Sequence, residues 1–297
     1  MKLAGKIGAD IGWIGTRLLE SLVRYRGLGY GIRLGRAMAA TLWPLAGSRR
    51  RLSLGNAAIV LPDVTPMRRE RIVAEAVRET LSFWPEIVHY AYGGTRGLLD
   101  SIRVEGIEHL AAALARGKGV IAPSVHLGNF ALIGSWMSEN GYDFSFLMRN
   151  PHDERIASRF IFLRRLMKIG VIYDQPRRAC IRNMLGALER NAIILMMLDQ
   201  RSGRTGVEVS FFGKPYGAFT GPVALALRTG AALVPMFIVR EGGTRHRLTI
   251  APEFELERTG EKRADIEGNL QRLMHLFEGW IRDNPTHWWW FSRRWRE

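Results

Sequence analysis

His126 is the residue best placed to do chemistry in this sequence. It follows the apolar run Gly119-Val120-Ile121-Ala122-Pro123-Ser124-Val125, and after Leu127-Gly128-Asn129 a helical pattern begins. A buried strand that turns into a helix presents its last side chains at the carboxyl edge of a sheet, where α/β sites lie. An imidazole there can act as general base toward an attacking hydroxyl. Asp199 ends a second strand pattern, Ile193–Leu198, and offers a carboxylate at the same edge. Arg149 ends a third, Phe144–Met148, and its guanidinium fork suits a phosphate, though a solvated surface arginine is an equal reading. Arg201, Arg204 and Lys214 border a loop, 203–217, in which Gly203, Gly206 and Gly213 permit close backbone approach. Thr220-Gly221-Pro222 reads as a helix start with proline near its first position, whose free N–H groups suit an anion or oxyanion; a plain cap reads almost as well.

Some chemistry is not expected. His152-Asp153-Glu154 has i, i+1, i+2 spacing, which does not converge on a helix, so no metal site is expected. Cys180 is the single cysteine; it excludes an intrachain disulfide or Cys-rich zinc site and reads as a small core filler. No nucleophile elbow of the GxSxG kind is present, so no acyl-enzyme is expected, and no cofactor is called for.

The elements that must position these groups follow a regular order. Strand patterns at 119–125, 144–148, 171–173, 193–198, 207–211, 233–239 and 247–250 alternate with helical patterns at 107–116, 130–140, 152–169, 177–190, 220–229 and 263–283. Such alternation predicts an α/β fold with a mainly parallel or mixed sheet flanked by helices. Residues 1–100 read as helical, with breaks around Trp43-Pro44, Gly47 and Leu61-Pro62, and with an apolar face at Ile72, Ala76, Leu81, Trp84, Ile87 and Val88 in the stretch Met67–Tyr92. The division is therefore a helical, membrane-associating region, 1–100, followed by an α/β domain, 101–297.

The chain of 297 residues is 47% hydrophobic and carries a net charge of +15, with ten Lys/Arg against Asp10 and Glu20 in residues 1–51. A basic surface attracts nucleic acid, anionic headgroups or phosphorylated substrates. Arginines beside aromatics can bind single-stranded nucleic acid, but no RNP, KH or helix-turn-helix signature is present, and no nucleic-acid partner is expected. Asp10, Arg17 and Glu20 break up any signal-peptide core. Ile11, Ile14, Leu18 and Leu22 fall at helical spacing, which fits an interfacial amphipathic helix or, equally, a core-packing one. Residues 119–138 lack formal charge, but Pro123, Gly128 and Asn129 mark strand–turn–helix and not a membrane span. Trp288-Trp289-Trp290 with Arg293, Arg294 and Arg296 suits a headgroup-level anchor, with alternate members in the core.

Three blocks, in order across residues 100–297, resemble the lysophospholipid acyltransferase superfamily, and within it the late lipid A acyltransferases (lauroyl and myristoyl types) and the related phosphatidylinositol mannoside acyltransferases. They are Ser124-Val125-His126-Leu127-Gly128-Asn129-Phe130, similar to the HxGN(W/F)(E/D) form of the HX4(D/E) motif; Leu198-Asp199-Gln200-Arg201 through Phe211-Phe212-Gly213-Lys214-Pro215, then Thr220-Gly221-Pro222, Arg228-Thr229-Gly230-Ala231 and Val234-Pro235; and the ending Asn284-Pro285-Thr286-His287-Trp288-Trp289-Trp290-Phe291-Ser292-Arg293-Arg294-Trp295. The resemblance implies a glycerol-3-phosphate acyltransferase-like fold. It implies transfer of a fatty acyl group from an acyl carrier protein or coenzyme A thioester to a hydroxyl of a membrane glycolipid: a lipid A precursor first, a phosphatidylinositol mannoside or other lysolipid as the alternative. The implied place is the cytoplasmic face of the bacterial inner membrane, peripheral or monotopic, against an anionic surface. Implied site residues are His126 as base, with Asn129, Arg149, Arg201, Arg204, Lys214, Thr220 and Gly221 binding substrate.

One position departs from the pattern. The motif's acid should fall at 131, where this chain has Ala131. Loss of the carboxylate that orients a catalytic imidazole costs about 10⁴ in kcat in a serine-protease triad. Three explanations compete: an engineered change, preferred because the rest of the motif is intact; a naturally impaired or merely lipid-binding homologue; or another carboxylate, with Asp199 the candidate. The chain is thus expected to be a poor catalyst that an acid at position 131 would improve by orders of magnitude.

Overall fold

Five strands form the parallel sheet that carries the site, in the order β4 (Gly170–Tyr173), β3 (Phe144–Met148), β5 (Ile193–Met197), β2 (Val120–Ser124) and β8 (Ala232–Leu233). The computed structural model describes residues 2–93, 97, 100–149, 154–201 and 206–295. Every residue of β2 is buried, because helices cover both faces of the sheet; hence the unbroken apolar run in the sequence. The helices are α5 (Ile107–Leu114), α6 (Ala131–Glu139), α7 (Glu154–Leu166), α8 (Arg177–Glu189), α9 (Gly221–Thr229) and α10 (Lys262–Asp283), within a few residues of their predicted spans.

Register places the site. In β2 and β5 Ser124 lies opposite Met197, and the Leu198 N–H donates to the Ser124 carbonyl at 2.9 Å. Two residues beyond that pair stand His126 and Asp199, so parallel pairing alone makes them neighbours.

The strand expected at 233–239 is two strands. Pro235 lacks the N–H that a continuing ladder needs, so β8 stops there and β9 (Met236–Gly242) joins a separate sheet, β1 (Ile102–Glu105)–β10 (Arg245–Ile250)–β9, with β1 parallel and β9 antiparallel to β10. The glycine-rich loop 203–217 contains a hairpin, β6 (Val207–Phe211) and β7 (Lys214–Ala218), in antiparallel register. Its two turn residues, Phe212 and Gly213, have φ of 54° and 71°, the left-handed pair that a type I′ turn requires. The Phe212 N–H donates to Glu278 of α10 at 2.5 Å, which holds the non-glycine residue there.

Among the described residues the N-terminal region holds the helices α1 (Lys2–Arg26), α2 (Leu28–Leu42), α3 (Gly47–Val60) and α4 (Pro66–Gly93). Pro85 sits inside α4 and cannot bond the Leu81 carbonyl one turn back. There α2 packs closest: a Cβ on Gly35 would lie 2.5 Å from that carbonyl oxygen, and one on Gly31 would lie 3.0 Å from the Pro85 ring. The buried face of α4 is more polar than its pattern suggested, for Glu79, Ser82 and Glu86 are buried with Val73, Ala76 and Val88, whereas Leu81, Trp84 and Ile87 are only partly covered. Buried residues of α2, α3 and α4 share one cluster with β2, β5 and α10. On α1, Val23 and Glu20 are buried and Leu18 and Leu22 are exposed; the side chains of Ile11 and Ile14 lie outside the described set. Among the described residues no helix is long and apolar enough to cross a membrane.

Candidate active site

The loop 125–130 is pinned before its side chains do anything. Gly128 has φ +61°, and a Cβ on it would lie 2.0 Å from the Ile238 carbonyl oxygen of β9, so only glycine fits. Its N–H donates to the His287 carbonyl at 2.9 Å, and the Trp289 N–H donates to the His126 carbonyl at 3.0 Å. The C-terminal segment thus runs antiparallel along the loop, with Leu127 bridged to Trp288.

His126 Nδ1 lies 2.6 Å from Asp199 Oδ1, and the His126 backbone N–H donates to the same oxygen at 3.1 Å. Asp199 Oδ2 accepts from Trp288 Nε1 at 2.9 Å and from Arg294 Nη2 at 3.0 Å, and the Asp199 carbonyl accepts from Arg294 Nε at 2.7 Å. Asp199 and Arg294 are wholly buried. Burial pushes the Asp199 carboxyl upward, but the charges and hydrogen bonds of His126 and Arg294 outweigh it and hold the group below the ordinary carboxylate range. A carboxylate at Nδ1 selects the tautomer with the proton there and leaves Nε2 as the basic nitrogen. The Gln200 amide stands 3.3 Å from Nε2, and the Phe130 ring meets the imidazole edge to face at 5.1 Å.

His126 opens onto a cavity of about 1250 Å³, above the roughly 300–1,000 Å³ that holds drug-sized ligands. Phe130, Ala131, Phe146, Leu163, Met167 and Ile169 wall its apolar part, while Arg149, Arg177, Arg201 and Arg228 lie along its lining too. Thr220 and Gly221, at the start of α9, also line it. Arg149 is exposed, 3.8 Å from Asp174. Cys180 also touches the cavity, and burial raises its thiol pKa.

The carboxylate expected at 131 is absent: Ala131 opens α6 and shows the cavity a methyl group. A carboxylate does meet the His126 ring from the β5 side, that of Asp199. Asn129, expected to bind substrate, is instead buried away from the cavity, where its amide donates to Glu86 Oε2 at 2.9 Å and to the Phe83 carbonyl at 3.3 Å. Lys214 begins β7 on the exposed surface and does not line the cavity. Arg204, Gly203, His152 and Asp153 lie outside the described residues. The expected headgroup anchor is largely interior: Trp288, Trp290 and Arg294 are fully buried, and Arg293 is exposed. Reading the ending as an anchor therefore missed Trp288 and Arg294 as partners of Asp199. Their signal was the arginine pair after the tryptophans, which does not by itself say which one turns inward.

A second buried charge cluster backs the loop. Glu86 Oε1 accepts from Arg240 Nη1 at 2.6 Å and lies 2.9 Å from His246 Nε2; Glu79 accepts from Arg240 Nε at 2.6 Å and from Arg36 at 2.7 Å. Burial would raise Glu86, but His246 and Arg240 hold it low.

Comparison with known proteins gives a consistent picture. The family model described as bacterial lipid A biosynthesis acyltransferase matches residues 10–297. A phosphatidylinositol mannoside acyltransferase of Mycobacterium tuberculosis (strain ATCC 25618 / H37Rv) is 32% identical over 164 residues, 54% of this chain and 52% of that protein, so the chain spans about half the length of that relative. The phosphatidylinositol mannoside acyltransferase of Mycolicibacterium smegmatis (strain ATCC 700084 / mc(2)155) is 27% identical over 214 residues, 72% of this chain and 68% of that protein. The lipid A biosynthesis palmitoleoyltransferase of Escherichia coli (strain K12) is 26% identical over 275 residues, 89% of this chain and 84% of that protein.

Proposed function

The chain belongs to the bacterial lipid A biosynthesis acyltransferase family, and from that premise we propose that it transfers a fatty acyl group from a thioester to a hydroxyl of a glycolipid, with His126 as general base. One observation carries the reading: the imidazole is fixed at Nδ1 by a buried carboxylate while its other side meets a large apolar cavity with arginines along it.

The acyl chain lies against Phe146, Leu163 and Met167, with its thioester carbonyl beside His126. The acceptor hydroxyl displaces the Gln200 amide from Nε2. Nε2 takes the hydroxyl proton as the oxygen attacks the carbonyl carbon, and Asp199 stabilises the imidazolium that forms. When the tetrahedral intermediate collapses the C–S bond breaks, and the leaving thiolate takes the proton back from Nε2. The Gly128 N–H is committed to His287, so oxyanion donors come from the first turn of α9. Arg149 and Arg201 hold phosphate groups of the substrates. Because Asp199 supplies the orienting carboxylate, the chain is an active enzyme despite Ala131.

The donor is an acyl carrier protein or coenzyme A thioester. The acceptor is a lipid A precursor, with a phosphatidylinositol mannoside as the alternative that the relatives' names raise. We place the protein on the cytoplasmic face of the inner membrane, a reading supported by exposed Leu18, Leu22 and Tyr25 on α1 and Phe162 and Leu166 on α7, set among arginines. The test is mass spectrometry of products from purified protein in mixed micelles, each donor paired with each acceptor. A new O-acyl glycolipid in one pairing, lost in His126→Gln, supports the reading; no transfer in any pairing overturns it.

A further inference from the structure

Among the described residues Arg294 is the one fully buried cation that contacts Asp199, and the transfer mechanism leaves its presence unexplained. A buried ion pair is costly, and replacing one with apolar groups is often neutral or stabilising. The surroundings favour such a replacement: the guanidinium lies 3.8 Å over the Trp288 ring, with Trp290 and Phe211 also fully buried nearby in the cluster. Arg294 Nη1 is buried with no hydrogen-bond partner among the described residues, so the residue is not placed there for full satisfaction of its own donors.

What Arg294 does achieve is an allocation of the Asp199 oxygens. Nη2 and Trp288 Nε1 occupy Oδ2, and Nε occupies the backbone carbonyl. Oδ1 is left to the two His126 donors. The same guanidinium holds the chain that carries it, since Nη2 also donates to the Trp289 carbonyl at 2.7 Å, next to the Trp289 N–H that binds the His126 carbonyl. One side chain therefore fixes both the carboxylate and the backbone on either side of the imidazole.

We infer that Arg294, assisted by Trp288, is a positioning residue for the transfer reaction: it directs Asp199 Oδ1 to His126 Nδ1 and so presents Nε2 to the cavity in one orientation. This rests on the acyltransferase reading above. The inference also explains how the chain dispenses with an acid at position 131. A carboxylate reaching the ring from β5 is held in one orientation when its second oxygen is occupied from behind, and Trp288 and Arg294 occupy it.

The experiment compares Arg294→Met, Arg294→Lys and Trp288→Phe, with Asp199→Asn combined with each, in the full chain. Arg294→Met is expected to lower kcat roughly 10- to 100-fold, the range for outer partners that orient a functional histidine, with KM little changed. Removing a cation beside the His126–Asp199 pair lets the pair hold its proton to higher pH, so the acid limb of the kcat/KM profile moves up by about one unit or more. Arg294→Lys, which keeps the cation, leaves most of that shift unmade, and Trp288→Phe, which keeps an aromatic ring and removes one donor, moves the limb less in the same direction. In the Asp199→Asn background the further loss from Arg294→Met is under about threefold, because Arg294 acts through Asp199. An unmoved acid limb with losses that multiply in the double variant overturns the inference.

Proton NMR of the parent supplies an arm independent of turnover. The short Nδ1–H···Oδ1 bond gives a far-downfield imidazole resonance, which is lost in Asp199→Asn and displaced in Trp288→Phe even if Arg294→Met does not fold. A resonance unchanged in Trp288→Phe counts against positioning. Absence of acyl transfer by the parent defeats the functional proposal, and the resonance still decides this one.

Discussion

Two buried charge clusters flank the loop 125–130, and they differ in one respect that separates chemistry from architecture. On one side stand His126, Asp199 and Arg294; on the other Glu79, Glu86, Arg240 and His246. Both contain a histidine against a buried carboxylate and an arginine that satisfies it. In the first the histidine side chain is 16% exposed and meets the cavity; in the second it is 1% exposed and meets only protein. The proton transfer proposed for His126 needs one open face. A group that holds helix α4 to β9 and β10 needs none. Asn129 shows the contrast within a single motif, three residues from His126 and committed to Glu86.

The largest effects should sharpen this contrast. His126→Gln is expected to lower kcat by about 10²–10⁴ with a smaller loss of stability than Glu86→Gln, which should cost about 3–5 kcal/mol by removing the charge that pairs with His246 and with one side of Arg240 and leave kcat per folded molecule within severalfold. Urea unfolding run beside acyl-transfer assays reads both, and equal stability losses in the two variants would erase the distinction. Gly128→Ala strikes the shared loop, forcing a left-handed alanine against Ile238; a loss of about 2–4 kcal/mol is expected, together with activity.

The pH dependence separates the clusters more finely. Asp199 and Glu86 both have folded pKa values below their unfolded values near 4. A depressed carboxylate contributes stability above its unfolded pKa and loses it as pH falls through the lower folded value. Stability should hold from pH 7 to about 5 and fall below about 4, with a shallower acid slope in Asp199→Asn; an equal slope would mean that Asp199 is not held low. The smallest effect expected is that of Ala131→Glu. With Asp199 already at Nδ1 it should change kcat less than about tenfold in the parent, and restore part of the loss in Asp199→Asn. A gain of orders of magnitude in the parent would return the orienting role to position 131.

Much of this was legible in the residues because parallel strands are buried on both faces and announce themselves as apolar runs, and because His126 and Asp199 each stand just past the end of one. What was hidden depended on partners far away in sequence. Nothing near Glu79 or Glu86 says that Arg240 and His246 will enclose them, and Arg294 looks like any arginine of a basic tail. The first strand of the β6–β7 hairpin is legible as the run 207–211, but its partner is not, because Pro215 and Gly217 disfavour strand; α10 anchors the turn between them through Glu278. The split at Pro235 follows from a missing N–H that periodicity does not count.

The antiparallel run of residues 287–289 along the loop has a consequence for biosynthesis. A growing chain has its imidazole, its cavity walls and its carboxylate long before residue 294 leaves the ribosome, yet the parts stay uncoupled until that segment folds back. The buried backing of Asp199 is therefore complete only once residues 287–294 have folded along the loop.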